Sequence, residues 1–558
     1  MKLFDRFEKW ILLAILVLAI GLRLPYVSDI PSGFHADEAA YGYNAYSVLK
    51  TGRDEYGRFL PLIFESFGDS KAAVYSYLTI PWIAIFGLTE FAVRFPSVIF
   101  GVIFVLLTYL LVFRFSWDKR LSTITALLAA VSPLGIELSR VQSDPLVCIV
   151  FFYLALYLWV MWLEKRKGIY IVFMLATIFL SFLTYTVTRL FAIPFFVLFA
   201  YMFWKTYNAQ AKRMFVVVNL IVLGAIIFLS VGFAGGRFSQ INVFSSRDVQ
   251  LILDEEIRED GVAGKSSIEA RIVHNKPIAY ARYMLTNFSS YLSSDFLFFQ
   301  SEQPRREQIP HMGVLLLIEC PFLLIGIYQA FKKKLRYGVL SVVWFLLVPA
   351  TLSIISGETP NIHRFFLAML PLHILVGLGI LAVIKALTHI NRSIVVVGIA
   401  GVFLLNLGYF FHQLFIHQPT HFPYYRGFAY KELVQKLPLY YDKYDHVVVT
   451  KGNESPYIYI LFFGSYDPTL YQQSGSHRDL DYQGFGKYVF VPYDCPSFNG
   501  TTEVNIIADK EHTLLVRRGN CDFGDNDKLI NRVFWRDGSE AFQFVVYQDA
   551  QIKSEKER

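Results

Sequence analysis

The 558 residues are 54% hydrophobic and 17% aromatic but only 17% charged, where soluble domains carry about a quarter charged residues. That excludes a disordered chain and speaks against a soluble enzyme, because so long and apolar a sequence has more oily surface than one or two globular cores bury. The net charge of +7 is modest for this length and calls for no nucleic-acid partner. Cys148, Cys320, Cys495 and Cys521 form no CxxC or Cys/His cluster, so neither a structural zinc site nor a disulfide-built scaffold is indicated.

A helix needs about 20 predominantly apolar residues to cross the hydrocarbon core. Runs of that kind lie at roughly 10–28, 91–113, 121–139, 144–163, 168–186, 189–205, 214–233, 312–331, 337–356, 364–386 and 393–413. They predict an α-helical polytopic membrane protein with about eleven transmembrane helices. The first run follows Lys2, Arg6 and Lys9 and lacks a small-residue cleavage site, so it reads as an anchor with its N-terminus inside. Alternating sides from there puts the basic clusters inside: Arg114, Lys119 and Arg120; Lys165, Arg166 and Lys167; Lys205, Lys212 and Arg213; Lys332 to Lys334 with Arg336; and Lys385 with Arg392. The outer excursions are long, at 29–90, 234–311 and 414–558.

Residues 72–88 are apolar enough to span, but counting them would invert every later loop. They read instead as a helix on the outer interface, broken near Pro81, within a membrane domain of residues 1–413, with a twelfth span as the alternative. The tail, 414–558, changes character to an extracytoplasmic α/β domain. It has a helix over 425–438 and strands at 445–451, 486–493 and 512–518, then two more around an Asp537-Gly538 turn. Cys495 and Cys521 either pair there or stay free; spacing does not decide.

The predicted spans are poor in charge, and the unusual polar residues cluster at outer helix ends and in the first outer loop, pointing to chemistry at the outer membrane surface. In HADEAAYGYNAY, Asp37 and Glu38 open a helix ending near Gly52, with Tyr41 and Asn44 along one face. Asp37 is read either as a helix cap or as a carboxylate available as a base, with His35 either a bystander or a member of a metal or acceptor site. Lys71, in ESFGDSKAAVYSYL, either snorkels to lipid headgroups or binds the phosphate of a lipid-linked substrate whose tail follows Tyr75, Tyr77 and Trp82. Glu65 and Asp69 then hold the lysine or contact a sugar. Arg140 and Asp144 of LSRVQSDPL mark a helix start on the same outer surface. Arg237, His274, His363 and Arg364 stand in other outer turns, each an ordinary interfacial anchor on its own.

HADEAAYGYNAY, GDSKAAVYSYL and FAVRFPSVIFG together resemble the GT-C superfamily of glycosyltransferases, in particular the branch of protein O-mannosyltransferases and the lipid A aminoarabinose transferase. The resemblance covers residues 1–190 well and the remaining spans more loosely. It implies inverting transfer of a sugar from a polyprenyl-phosphate donor to a protein, lipid or glycan acceptor outside the cytoplasmic membrane. It also implies Asp37 as the catalytic carboxylate, Glu38 as its neighbour, Lys71 as the carrier-phosphate ligand and Asp144 as a second acid. Where the family commonly has prolines after that lysine, this chain has Ala72 and Ala73. Arg237 and Arg364 are candidates to share the phosphate with Lys71; Arg140, Tyr41, Glu65, Asp69, His274 and His363 are candidate substrate contacts. No glycine-rich nucleotide motif is present, and a lysine supplies the phosphate's electrostatics, so no cofactor is required and a divalent metal is compatible but not favoured. A flippase for lipid-linked sugars and a non-catalytic glycan-binding membrane protein are the alternatives; the clean spans argue against the first.

Overall fold

The computed structural model describes residues 2–204, 207–232, 242–300, 306, 309–387, 392–451, 455–474, 484–498 and 509–548. The first half of the chain supplies helices α1 (Lys2–Arg23), α2 (Ala36–Thr51), α3 (Val74–Phe86), α4 (Glu90–Ser116), α5 (Lys119–Val131), α6 (Pro133–Leu138), α7 (Asp144–Lys165), α8 (Ile169–Thr184), α9 (Val187–Phe203) and α10 (Ala209–Gly232). Strands β1 (Ile63–Ser66) and β2 (Asp69–Ala72) form a hairpin between α2 and α3. The chain divides into two compact units, Met1–Pro25 with Ser97–Leu414, and Tyr26–Pro96 with Phe415–Arg558. Residues 29–90, read from sequence as part of the membrane domain, therefore pack with the tail.

The first unit is helical around one large apolar core. Among the described residues five helical stretches are long and apolar enough to cross a membrane: Glu90–Ser116, Asp144–Lys165, Ala209–Leu229, Ile362–Ala386 and Ser393–His417. The chain is a membrane protein. Other expected runs fall on shorter apolar helices, among them Ile169–Thr184 and Arg336–Leu352. The sequence pattern thus gives more spans than the described residues have full-length apolar helices. The expected run 121–139 is not one helix: α5 stops at Val131, Ser132 caps Gly135 N, and Pro133 opens α6. Proline has no N–H to continue the preceding turn.

Within this unit the helices Glu319–Lys332 and Met369–Ala386 approach closely at two glycines. A methyl at Gly326 would collide with the Leu375 carbonyl, and one at Gly379 with the Phe322 carbonyl. Small residues that let backbones touch are a common means of packing helices in lipid.

In the second unit the strands β3 (His446–Thr450), β4 (Gly484–Phe485), β5 (Tyr488–Val491), β6 (Thr513–Arg518), β7 (Asp527–Phe534) and β8 (Glu540–Tyr547) form one sheet in the order β4-β5-β3-β6-β8-β7. The central β5, β3 and β6 run parallel, and β4, β7 and β8 pair antiparallel. Helix Pro456–Phe463 lies in the crossover between β3 and β5, the usual answer to joining parallel strands. The expected strands are present, and the expected helix over 425–438 is realised as Phe428–Lys436. Cys495 and Cys521 form a disulfide. The core of this unit mixes α2 residues Ala39, Ala40 and Tyr43 with the helix Pro456–Phe463 and the sheet. Helix α2 can approach so closely because residue 42 is glycine: a Cβ there would meet the Phe462 ring at 2.5 Å and Val93 at 2.6 Å.

Helix α3 runs unbroken through Pro81, against the expected break. Its 13 residues reach only about 20 Å at about 1.5 Å each, short of the roughly 30 Å hydrocarbon core.

Candidate active site

The site begins with the way α2 starts. His35 is extended and acts as N-cap, its Nδ1 accepting from the Asp37 backbone N–H at 3.1 Å. Glu38 Oε2 reaches back to accept from the His35 N–H at 3.1 Å, completing a capping box. Of the two readings of Asp37, the capping one belongs to His35 instead, and the Asp37 carboxylate lies 3.4 Å from His35 Nδ1. The helix closes, as expected, at Gly52 in the left-handed conformation.

Glu38 is buried and held by two arginines. Arg94 Nε donates to Oε1 at 2.9 Å and its NH2 to Oε2 at 3.0 Å; Arg426 NH2 approaches Oε2 at 3.4 Å. Arg94, itself wholly buried, also donates to the carbonyls of Val27, Ser28, Pro31 and Gly33. Buried charges persist only when paired and hydrogen-bonded, and this cluster ties the chain before α2 to the helix start. It gives Glu38 an anchoring task beside Asp37. Neither arginine was singled out from sequence.

Lys71 sits on β2 opposite Phe64, and its ammonium lies 2.8 Å from Asp37 Oδ1. Lys71 is 5% exposed and Asp37 28%, so the carboxylate is the member of the pair that solvent or substrate reaches. The Lys71 Nζ also stands 4.2 Å from the centroid of the Phe67 ring, a cation–π contact. Glu65 does not hold the lysine: one residue along β1 from Phe64, it points to the other face of the hairpin and pairs with Arg58 at 3.2 Å. Asp69 begins β2, and its side chain lies outside the described residues. Tyr41 is buried edge-on to Tyr75, 5.7 Å between centroids. Tyr75 is itself buried, donating to Val93 O at 2.9 Å; Tyr77 donates to Pro61 O at 2.8 Å.

The remaining expected residues belong to the other unit. Arg140 is buried, with NH1 donating to Leu22 O and Arg23 O and NH2 to Pro25 O. It closes the C-terminal end of α1, a structural task. Asp144 is the first residue of α7, with Ser143 as the cap and Gln142 Nε2 donating to Asp144 Oδ1 at 3.1 Å. Arg364 and His363 lie on the short helix Ile362–Phe365, where Arg364 NH1 donates to Glu358 O at 3.3 Å. His274 pairs with Asp260 at 2.7 Å. Arg237 lies outside the described residues.

A further acid escaped the sequence reading. Glu55 is wholly buried beneath the hairpin, accepting from Ser66 Oγ at 2.6 Å and Tyr457 Oη at 3.4 Å. Burial pushes its carboxyl up to about 8, against the hydrogen bonds from Ser66 and Tyr457 and the charge of Lys71, which lower it. For a metal, the described residues offer one group with ligand atoms within 4.8 Å of one another, Asp445, Asp509 and His512, all exposed on the tail. There the Asp509–His512 hydrogen bond lowers the carboxyl and raises the imidazole.

Residues 70–233 match the family model of dolichyl-phosphate-mannose-protein mannosyltransferases. The match includes Lys71 and bears out the resemblance to GT-C glycosyltransferases. No curated protein sequence matches the chain. Among solved structures, the oligosaccharyltransferase AglB from Archaeoglobus fulgidus, in complex with an inhibitory peptide and a dolichol-phosphate, is 14% identical with a TM-score of 0.49. That likeness covers 82% of this chain, which spans only 64% of the archaeal one. ArnT from Cupriavidus metallidurans is 12% identical over 97% of this chain and 98% of its own, with TM-scores of 0.47 in the apo state and 0.49 bound to undecaprenyl phosphate.

Proposed function

We propose that this membrane protein is a glycosyltransferase that moves a sugar from a polyprenyl-phosphate carrier to an acceptor hydroxyl on the outer face of the cytoplasmic membrane, with inversion. The observation that carries the reading is the Asp37–Lys71 pair: an accessible carboxylate held 2.8 Å from a buried ammonium, the latter inside the segment matched to the mannosyltransferase family. Cleaving the bond from the anomeric carbon to phosphate builds negative charge on the departing phosphate, which Lys71 stabilises. The attacking hydroxyl becomes more acidic as its bond to carbon forms, and Asp37 accepts its proton. The two charges partly neutralise each other. A carrier phosphate that takes the ammonium releases Asp37 Oδ1 for the acceptor, so donor binding prepares the base.

The Cys495–Cys521 disulfide supports an oxidising, extracytoplasmic setting for the tail, as do the basic loops at the opposite helix ends. Nothing in this chemistry requires a metal, since Lys71 supplies the positive charge. The acceptor class includes protein hydroxyls, glycolipids and envelope glycans. The test is mass spectrometry of envelope glycans, glycolipids and glycoproteins from cells with and without the protein. Loss of one glycan structure is expected. An unchanged glycan profile, with movement of lipid-linked sugar across sealed vesicles, contradicts it.

A further inference from the structure

The β1–β2 turn that carries the lysine is unusual. Its two central residues, Phe67 (φ 41°) and Gly68 (φ 75°), both have positive φ, the backbone of a tight hairpin turn that ordinarily takes Asn-Gly or Gly-Gly. A bulky aromatic in that conformation is costly and persists only where its surroundings fix it. Phe67 is fixed from the C-terminal segment of the chain: its N–H donates to Tyr457 Oη at 3.0 Å. The Tyr457 hydroxyl in turn meets Glu55 Oε1 at 3.4 Å, and the same oxygen accepts from Ser66, the residue before Phe67. Asn44 of α2 bonds to Ser66 Oγ at 3.2 Å and to the Glu55 N–H at 3.0 Å. Asn44 lies seven residues after Asp37, on the same face two turns along.

We propose that Tyr457 is a positioning residue for Lys71, holding the Phe67 turn so that its ring lies under the ammonium aimed at Asp37. The proposal rests on the reading of Lys71 as the ligand of the carrier phosphate. It gives residues after 414 a part in donor binding. The Tyr457 ring is buried, stacked on Tyr471, and a phenylalanine fills the same space. Its hydroxyl serves the hairpin.

The test uses the full chain in lipid nanodiscs, titrated with undecaprenyl phosphate and, separately, with undecaprenol, which lacks the phosphate. Tyr457→Phe is expected to weaken undecaprenyl phosphate binding about tenfold, the scale of one lost buried hydrogen bond, and to leave undecaprenol binding unchanged. A general loosening of the fold would weaken both. Phe67→Gly, which removes the ring and eases the positive φ, is expected to act in the same direction and keeps the proposal testable if Tyr457→Phe does not fold. If Lys71→Ala weakens phosphate binding but neither other variant does, the positioning role is overturned and the reading of Lys71 stands. If Lys71→Ala has no effect, the reading of Lys71 falls, and the positioning role with it.

Discussion

Lys71 and Asp37, 34 residues apart in sequence, meet at 2.8 Å because a capped helix start and a tight hairpin present them to each other. The cap belongs to His35 and the aromatic floor beneath the ammonium to Phe67. Their neighbour Glu38 anchors the helix start through Arg94 and Arg426.

That division of labour separates two adjacent acids by experiment. Glu38→Ala leaves Arg94 buried without its carboxylate and is expected to cost about 3–5 kcal/mol of stability, the scale for breaking a buried ion pair. A fall in melting temperature checks this. Asp37→Asn keeps an oxygen for Lys71 and should melt close to the parent protein. Equal stability losses at 37 and 38 would contradict the assignment.

Stability should depend on pH through Glu55. The folded protein keeps its proton up to about 8, whereas an unfolded glutamate gives it up near the ordinary 4.5. Between those values the native state binds more protons, so the stability contributed by this site falls as pH rises through the window. Glu55→Gln, which stays neutral, should flatten that part of the profile. Melting curves from pH 5 to 8 for both proteins provide the check, and identical slopes would count against it.

The disulfide between Cys495 and Cys521 closes a 26-residue separation beside the sheet, and such bonds typically add about 2–4 kcal/mol. Reduction, or Cys495→Ser with Cys521→Ser, should lower the stability of the tail sheet by that order. Limited proteolysis with and without reductant reads this directly: faster cleavage within 484–548 is expected, and unchanged cleavage contradicts it.

The acidic pair, the lysine before α3, the end of α2 at Gly52 and the tail strands were all legible, because each leaves a local signature of cap, period or turn. Long-range pairing leaves none. Glu38 meets Arg94 and Arg426 across 56 and 388 positions, and no local pattern marks either arginine as its partner. Glu55, in the run Asp54-Glu55-Tyr56-Gly57, reads as turn polarity, yet the fold buries it under Ser66 and Tyr457. The helix Pro456–Phe463 is a short apolar run without a helical period, of a kind that strands share. The break at Ser132-Pro133 was signalled by its proline but hidden inside an otherwise continuous apolar stretch.

The central claim is that Asp37 accepts the acceptor's proton while Lys71 holds the departing phosphate. The most direct measurement is sugar transfer from a polyprenyl-phosphate-linked donor by the purified chain in nanodiscs, with the glycosylated product quantified by mass spectrometry for the parent protein and Asp37→Asn. Asp37→Asn is expected to lose about 10²–10⁴-fold in turnover, the usual contribution of a general base, with folding and donor binding retained. Turnover by Asp37→Asn within a few-fold of the parent would contradict it.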